Sequence, residues 1–225
     1  MTEITTPHGA SPLLVGRTYE AIVSLGDAGE LGARATAMRA EFQRRTGTYG
    51  PEDPWFENRS RAFWDDALAK QGFAVLAAAE LGAAEQAIAK RFAVAHRGFF
   101  LVEEVDDRGA LLVDAWSGAE LLVRHLDETQ AMTLEHADGS MDARVIRGDG
   151  TDLLVLPGAY HHPADAVEPA LDVLIAARRQ GLSTDDALDA LLRMELVFRN
   201  SSRVKAAFAY RVDTLGRIPA RPPVV

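Results

Sequence analysis

The sequence predicts an α+β fold: a small antiparallel β-barrel or curled sheet, SH3-like or OB-like, flanked by N-terminal and C-terminal α-helices. Three observations carry this expectation. Between Gly98 and Gly158, short runs of β-forming residues are separated by Gly-containing turns, the sequence form of a hairpin meander. Before and after that block, apolar residues recur at helical spacing. The 225 residues are 48% hydrophobic and 25% charged, a balance that supports a real core and argues against global disorder. Three regions follow: residues 1–97, mainly helical; 98–158, an acidic antiparallel β module; and 159–225, helices with a basic, Pro-containing tail. Together they are compatible with one compact domain.

Taken in order, Thr5 to Pro12 is rich in Thr, Pro, Gly and Ser, the composition of a mobile terminus. Leu13–Val15 and Ala21–Leu25 are too short for periodicity to separate strand from helix. Glu30 to Thr46 reads as a helix with Leu31, Ala35, Met38 and Phe42 on one face, stopped by Gly47. Asp53-Pro54 offers a cap and a first-turn proline for a helix over Trp55 to Gln71. Its apolar set is Phe56, Phe63, Trp64, Ala67 and Leu68, with Glu57, Arg61 and Asp65 four apart on an exposed face. Val75 to His96 is an alanine-rich helix, broken near Gly82 and expected to be buried between neighbours.

The β block supplies strands at Gly98–Val105, Ala110–Trp116, Ala119–His125, Met141–Ile146 and Asp152–Leu156. Thr129 to His136 reads as a further strand or an irregular bridge. Runs of consecutive apolar residues suggest strands covered on both faces. Pro163 to Gln180 is a helix with Val167, Leu171, Leu174 and Ile175 as its stripe and Gly181 as its stop. Ser183-Thr-Asp-Asp186 resembles a capping box with Asp in place of Glu. It opens a helix to Arg199 in which Leu188, Leu191, Leu192, Glu195 and Phe198 share one side. Ser201 or Ser202 caps a last helix with Val204, Ala207, Phe208 and Arg211 on one face, and Gly216 to Val225 is extended or disordered.

Cysteine is absent, which excludes disulfides, thiolate catalysis and Cys-based zinc sites. The N-terminus has no signal-peptide pattern and Phe73 to Ala89 is too polar to span a membrane, so a cytoplasmic protein is expected. The net charge of −9 is uneven. Residues 1–97 hold 11 Lys+Arg and 12 Asp+Glu, residues 98–158 hold 4 and 13, and residues 159–225 hold 9 and 8. The β block therefore carries the imbalance and is a poor surface for nucleic acid. From Arg199 onward, Arg199, Arg203, Lys205, Arg211, Arg217 and Arg221 stand against Asp213 alone.

Among candidate sites, Tyr160-His161-His162-Pro163 lies beside Asp165. A metal site would need one of these histidines plus His125, His136 or Asp165 brought together by the fold, since catalytic zinc sites use three N/O ligands. Otherwise His162 helps cap the helix at Pro163 and His161 is solvated. No spaced metal motif, Gly-x-Ser-x-Gly, P-loop or dinucleotide fingerprint is present, and no cofactor is expected. Tyr49, Trp55 and Phe56 either anchor the core or line a groove for a partner. Arg199-Asn-Ser-Ser-Arg203 resembles the Arg-x-x-x-Arg element of PilZ-type cyclic-di-GMP receptors. That resemblance implies that the two arginines grip a phosphate. The Asp/Asn-x-Ser-x-x-Gly strand that follows the arginines in that family does not follow here. Solvated arginines flanking a helix boundary are the other reading.

Three functions are carried forward. The first is a non-enzymatic adaptor or regulator binding a protein partner through the acidic module or through Arg199, Arg203, Lys205, Arg211, Tyr49, Trp55 and Phe56; a homo-oligomer is compatible with it. The second is a hydrolase or lyase using His161 or His162 with Asp165. The third is a phosphate-ligand sensor using Arg199 and Arg203.

Overall fold

The computed structural model describes residues 11–135, 139–201 and 204–216. The expectations for Thr5 to Ala10, His136, Ser202, Arg203 and the tail from Arg217 onward lie outside the described residues. The two short apolar runs near the N-terminus form one helix, α1 (Pro12–Leu25), with the Ser11 hydroxyl accepting from the Leu14 N–H. Val15, Tyr19 and Ile22 fall on its buried side, spaced four and three. Helix α2 (Gly29–Thr46) ends at Gly47, whose φ of 101° favours glycine. Helix α3 (Phe56–Ala69) starts without the expected Asp53 cap. Asp53 instead accepts the Gly50 N–H at 2.7 Å and closes the preceding turn. The alanine-rich segment is broken at Leu81-Gly82 into α4 (Phe73–Ala77), a 3₁₀ turn (Ala78–Glu80) and α5 (Ala83–Phe92). Only one face of it is buried: Phe73, Ile88 and Phe92 pack with Ile22, Phe42 and Phe63, while Val75 and Val94 face solvent.

The β region contains β1 (His96–Val105), β2 (Gly109–Asp114), β3 (Glu120–Arg124), β4 (Ser140–Arg147), β5 (Leu153–Val155) and the short β6 (Tyr160–His161). Strands β1 to β5 close into a barrel in the order β1-β2-β3-β5-β4, shut by pairing of β1 with β4; β6 is added on β4. The order β4-β1-β2-β3 is a Greek key, and a five-stranded Greek-key barrel is the OB-like of the two expected kinds. One pairing, β3 with β5 at Val123↔Leu153, is parallel. Phe100, Leu112, Val123, Met141, Ala143 and Val155 fill the barrel. A register shift between Val102 and Glu104 turns both Val102 and Val105 toward that interior, although they are three residues apart.

Thr129 to His136 is not a strand or an irregular bridge; helix α6 (Glu128–Glu135) occupies its described part. The reason is local. The Asp127 carboxylate accepts the Gln130 N–H at 2.8 Å, and the Gln130 side chain joins Leu126 N to Val155 O. Leu134 then enters the barrel core. Strand β3 is not covered on both faces, since Leu122 is 73% exposed.

The C-terminal helices are α7 (Val167–Arg179), α8 (Thr184–Asn200) and α9 (Ala206–Ala209). Helix α7 buries Ala170, Val173, Leu174 and Ala177, and the expected stripe member Ile175 is half exposed. Ser183 caps α8 by accepting the Asp186 N–H at 3.1 Å. The shorter Asp186 carboxylate meets the Ser183 hydroxyl at 2.6 Å and not the backbone N–H a Glu would reach. In α9 the inward residues are Ala206, Ala209 and Tyr210, and Phe208 points outward. No helix among the described residues is long and apolar enough to cross a membrane.

Barrel closure at β2–β3 depends on a missing side chain. A Cβ on Gly109 would lie 1.9 Å from the Val123 carbonyl oxygen. Gly109→Ala is expected to force the two strands apart and lower stability by about 2 kcal/mol, read by thermal or urea unfolding.

Candidate functional site

Where the helices meet the barrel, strand alternation sends one set of side chains inward and the other toward α3 and α8. On β4, Met141, Ala143 and Val145 enter the barrel, so Asp142 and Arg144 face the helices. On β1, Phe100 enters the barrel and Arg97 takes the opposite side. Arg97 holds Asp142 through two nitrogens, at 3.0 and 2.6 Å, and Asp189 at 2.7 Å. Arg45 bridges Asp189 and Asp66, and Arg144 reaches Asp66 at 3.2 Å. Lys70 and Asp185 complete the set at its edge. Burial raises the Asp189 carboxyl, but Arg97 and Arg45 overcome it and hold the group well below the usual range. Beside this lattice, fully buried Arg59 donates to Glu195 at 2.8 Å and to the Thr46 carbonyl; Tyr160 and Arg199 also donate to Glu195, each at 2.7 Å. These charges pair with one another across the elements and act as a joint, most tightly at Arg45, Arg97, Asp142 and Asp189 and loosely at Lys70 and Asp185.

The face of the barrel turned away from the helices has the opposite character. The register places Glu104, Leu111 and Leu122 in one row across β1, β2 and β3, and Val113 beside Glu120 in the next, whose β1 member, Leu101, packs against the C-terminal helices. The β1–β2 turn beside it exposes Asp106 and Asp107, and the preceding strand exposes Glu103. The β4–β5 turn, which carries Asp149 and Asp152, lies to one side of this face, since its Arg147 and Gly148 carbonyls accept from Arg91 of α5. Of these carboxylates, only Asp152 makes an ion pair among the described residues, with Arg124 at 2.6 Å. Two turn N–H groups hold the Asp106 carboxyl below its usual value, so it stays ionised. An apolar stripe edged by unneutralised carboxylates is complementary to a cationic segment carrying an apolar residue.

The candidates named from sequence are dispersed. His162 is buried, with its ring against Phe99 and Tyr160 and its Nδ1 hydrogen-bonded to the Tyr210 hydroxyl at 2.8 Å. Burial lowers it to about 4, so it is neutral and does not cap the helix at Pro163. His161 instead lines a cleft of about 320 Å³ with Glu57, Arg61, Asp127 and Pro157. Asp165 accepts the Ala206 N–H at 3.4 Å, and His125 Nε2 meets the Asp106 carbonyl at 2.8 Å. Among the described residues no group of three or more His, Asp or Glu is placed to hold an ion, and His136 lies outside them. Tyr49 is 4% exposed and packs on Phe42 and Phe56, which places it in the core and not along a groove. Trp55 and Phe56 are half-buried. Arg199 is tied to Glu195, Arg211 to Asp213 at 2.7 Å, and Lys205 is exposed just before α9. One signal for the joint was present in the sequence: Glu195 shares a helix side with Leu188, Leu191 and Leu192. No family model, curated protein or solved structure matches the chain.

Two expectations follow for the joint. Arg59→Met leaves Glu195 without its buried partner and is expected to cost about 3–5 kcal/mol; adding Glu195→Gln should recover part of that loss in a double-mutant cycle by denaturant unfolding. Asp65, whose Oδ1 accepts from Tyr19 at 2.9 Å and from Gly158 N at 3.1 Å, is raised by burial to about 7. The folded state keeps this proton where the unfolded chain has released it, so the contribution is full below about pH 3.9 and is lost as pH rises toward 7. Asp65→Asn should flatten the fall in melting temperature between pH 5 and 8; an unchanged profile would refute the assignment.

Proposed function

We propose that this protein is a non-enzymatic adaptor or regulator that binds a basic segment of a protein partner on the outer β1–β2–β3 face of its barrel. The observation that carries the reading is the Leu111–Leu122 stripe edged by Glu103, Glu104, Asp106, Asp107 and Glu120. Barrels of this architecture receive extended ligands on the β2–β3 face and the adjoining turns. That analogy concerns the location only, since fold does not specify function. The chemistry comes from this chain. Nucleic-acid-binding barrels line that face with cations and stacking aromatics; here it carries carboxylates and leucines, with its exposed Arg124 paired to Asp152, a set that favours Lys or Arg side chains around an apolar anchor.

The test compares the full chain with Glu103→Lys/Glu104→Lys/Asp107→Lys, three exposed positions remote from the joint. Proteins retained from a lysate of the native cell at low salt are identified and then titrated. The triple variant should keep its melting temperature and lose at least about tenfold in affinity, a difference of about 1.4 kcal/mol. Added salt should weaken the wild-type complex in the same direction. A partner held equally by the variant, or insensitive to salt, would refute the reading.

A further inference from the structure

A cleft of about 440 Å³ opens at the edge of the charged joint, between the end of α3, the start of β1, β4 and the first turn of α8. Lys70, Arg97, Arg144, Ser183, Thr184 and Asp185 line it. Its cations are held unequally. Arg97 is gripped from behind by Asp142 and Asp189 at 2.6 and 2.7 Å. Toward the cleft, its only anionic neighbour is Asp185, at 3.4 Å. Lys70 has nothing closer than Asp189 at 3.4 Å and Asp185 at 3.5 Å. Charge-assisted hydrogen bonds ordinarily run about 2.7–2.9 Å, so Asp185 is a loose partner for both. It is also the outermost of the carboxylates, with its side chain 39% exposed.

Arg144 is the second, independent observation. Its side chain is 5% exposed and donates only through Nη2, to Asp66 at 3.2 Å. Nε and Nη1 make no hydrogen bond among the described residues, although Arg144 lines the cleft. Neither nitrogen is sealed off as a buried orphan, so both remain open to a partner arriving through the cleft. Beside Arg144, Thr184 and Asp185 at the start of the 17-residue α8 line the same space; their N–H groups precede the first intrahelical acceptor, while the Asp186 N–H is taken by the Ser183 hydroxyl.

We propose that this cleft binds a phosphate group, with Asp185 as the internal carboxylate that the phosphate displaces. Lys70 and Arg144 supply the donors, Arg97 adds charge from the floor, and the start of α8 supplies backbone N–H groups. A tetrahedral dianion uses these convergent donors better than one carboxylate at 3.4–3.5 Å. The phosphate can belong to a small metabolite or to a phosphorylated polypeptide; the recognising chemistry is shared.

The test titrates the full chain with inorganic phosphate, a nucleoside monophosphate and a phosphoserine peptide at matched ionic strength, followed by calorimetry and ³¹P line broadening. All three should saturate the protein in the wild type. Asp185→Asn, which removes the competing charge, should tighten phosphate binding at least threefold, and Lys70→Gln should weaken it at least fivefold. Tighter binding of the nucleotide than of the peptide assigns a free metabolite; the reverse order assigns a phosphorylated chain. No saturable binding by any of the three, or equal affinities in both variants and wild type, would overturn the proposal.

Discussion

The structure depends on burying each charge against an opposite one. Arg45, Lys70, Arg97 and Arg144 face Asp66, Asp142, Asp185 and Asp189 at the junction of α2, α3, α8, β1 and β4. Each of these elements contributes to the lattice or borders it. Removing one of the buried members, Arg45, Asp66, Arg97, Asp142, Arg144 or Asp189, would leave its partner charged in a region of low dielectric, at about 3–5 kcal/mol, whereas Lys70 and Asp185 at the rim are partly exposed. Whole-protein stability is about 5–15 kcal/mol, so the lattice tolerates little loss. Apolar packing brings helices and barrel together; the ion pairs decide the register in which they meet.

This constraint sorts the surface chemically. Carboxylates on the helix side of the barrel are consumed by guanidinium groups, as Asp142 is by Arg97. Those on the opposite side, Asp152 with Arg124 excepted, make no ion pair among the described residues, and the acidic excess of residues 98–158 is felt there. A protein with an evenly mixed surface would offer no preferred sign of partner; this one offers a cationic segment a defined face. The cleft beside Asp185 lies between the two regimes, where pairing is incomplete and still sheltered from water.

Most helix faces and strand runs and the break at Gly82 were legible from residue types alone; Asp65, expected on an exposed face, is buried, and the last helix turns Ala206, Ala209 and Tyr210 inward in place of Phe208. Even the OB-like or SH3-like barrel could be anticipated from the spacing of turns. Failures were of two kinds. Thr129 to Glu135 was misread because a capping Asp127 and a bridging Gln130 outweighed a weak strand pattern. Tyr160–His161 was not read as a strand because two residues have no periodicity; they pair only because Met141 and Asp142 of β4 present an open edge. The adjacent histidines part for the related reason that neighbouring positions of an extended chain face opposite ways, one toward a cleft and one into the core.

Local periodicity and turn chemistry, set by neighbouring residues, determined the elements of this protein and their order. Composition determined where its negative charge lies. The tertiary structure alone decided which charges are buried. Arg97 meets Asp142 across 45 residues and Asp189 across 92, and Arg45 meets Asp189 across 144. Whether a carboxylate is a buried strut or an exposed contact is set by what packs over it, and that neighbour comes from a distant part of the chain.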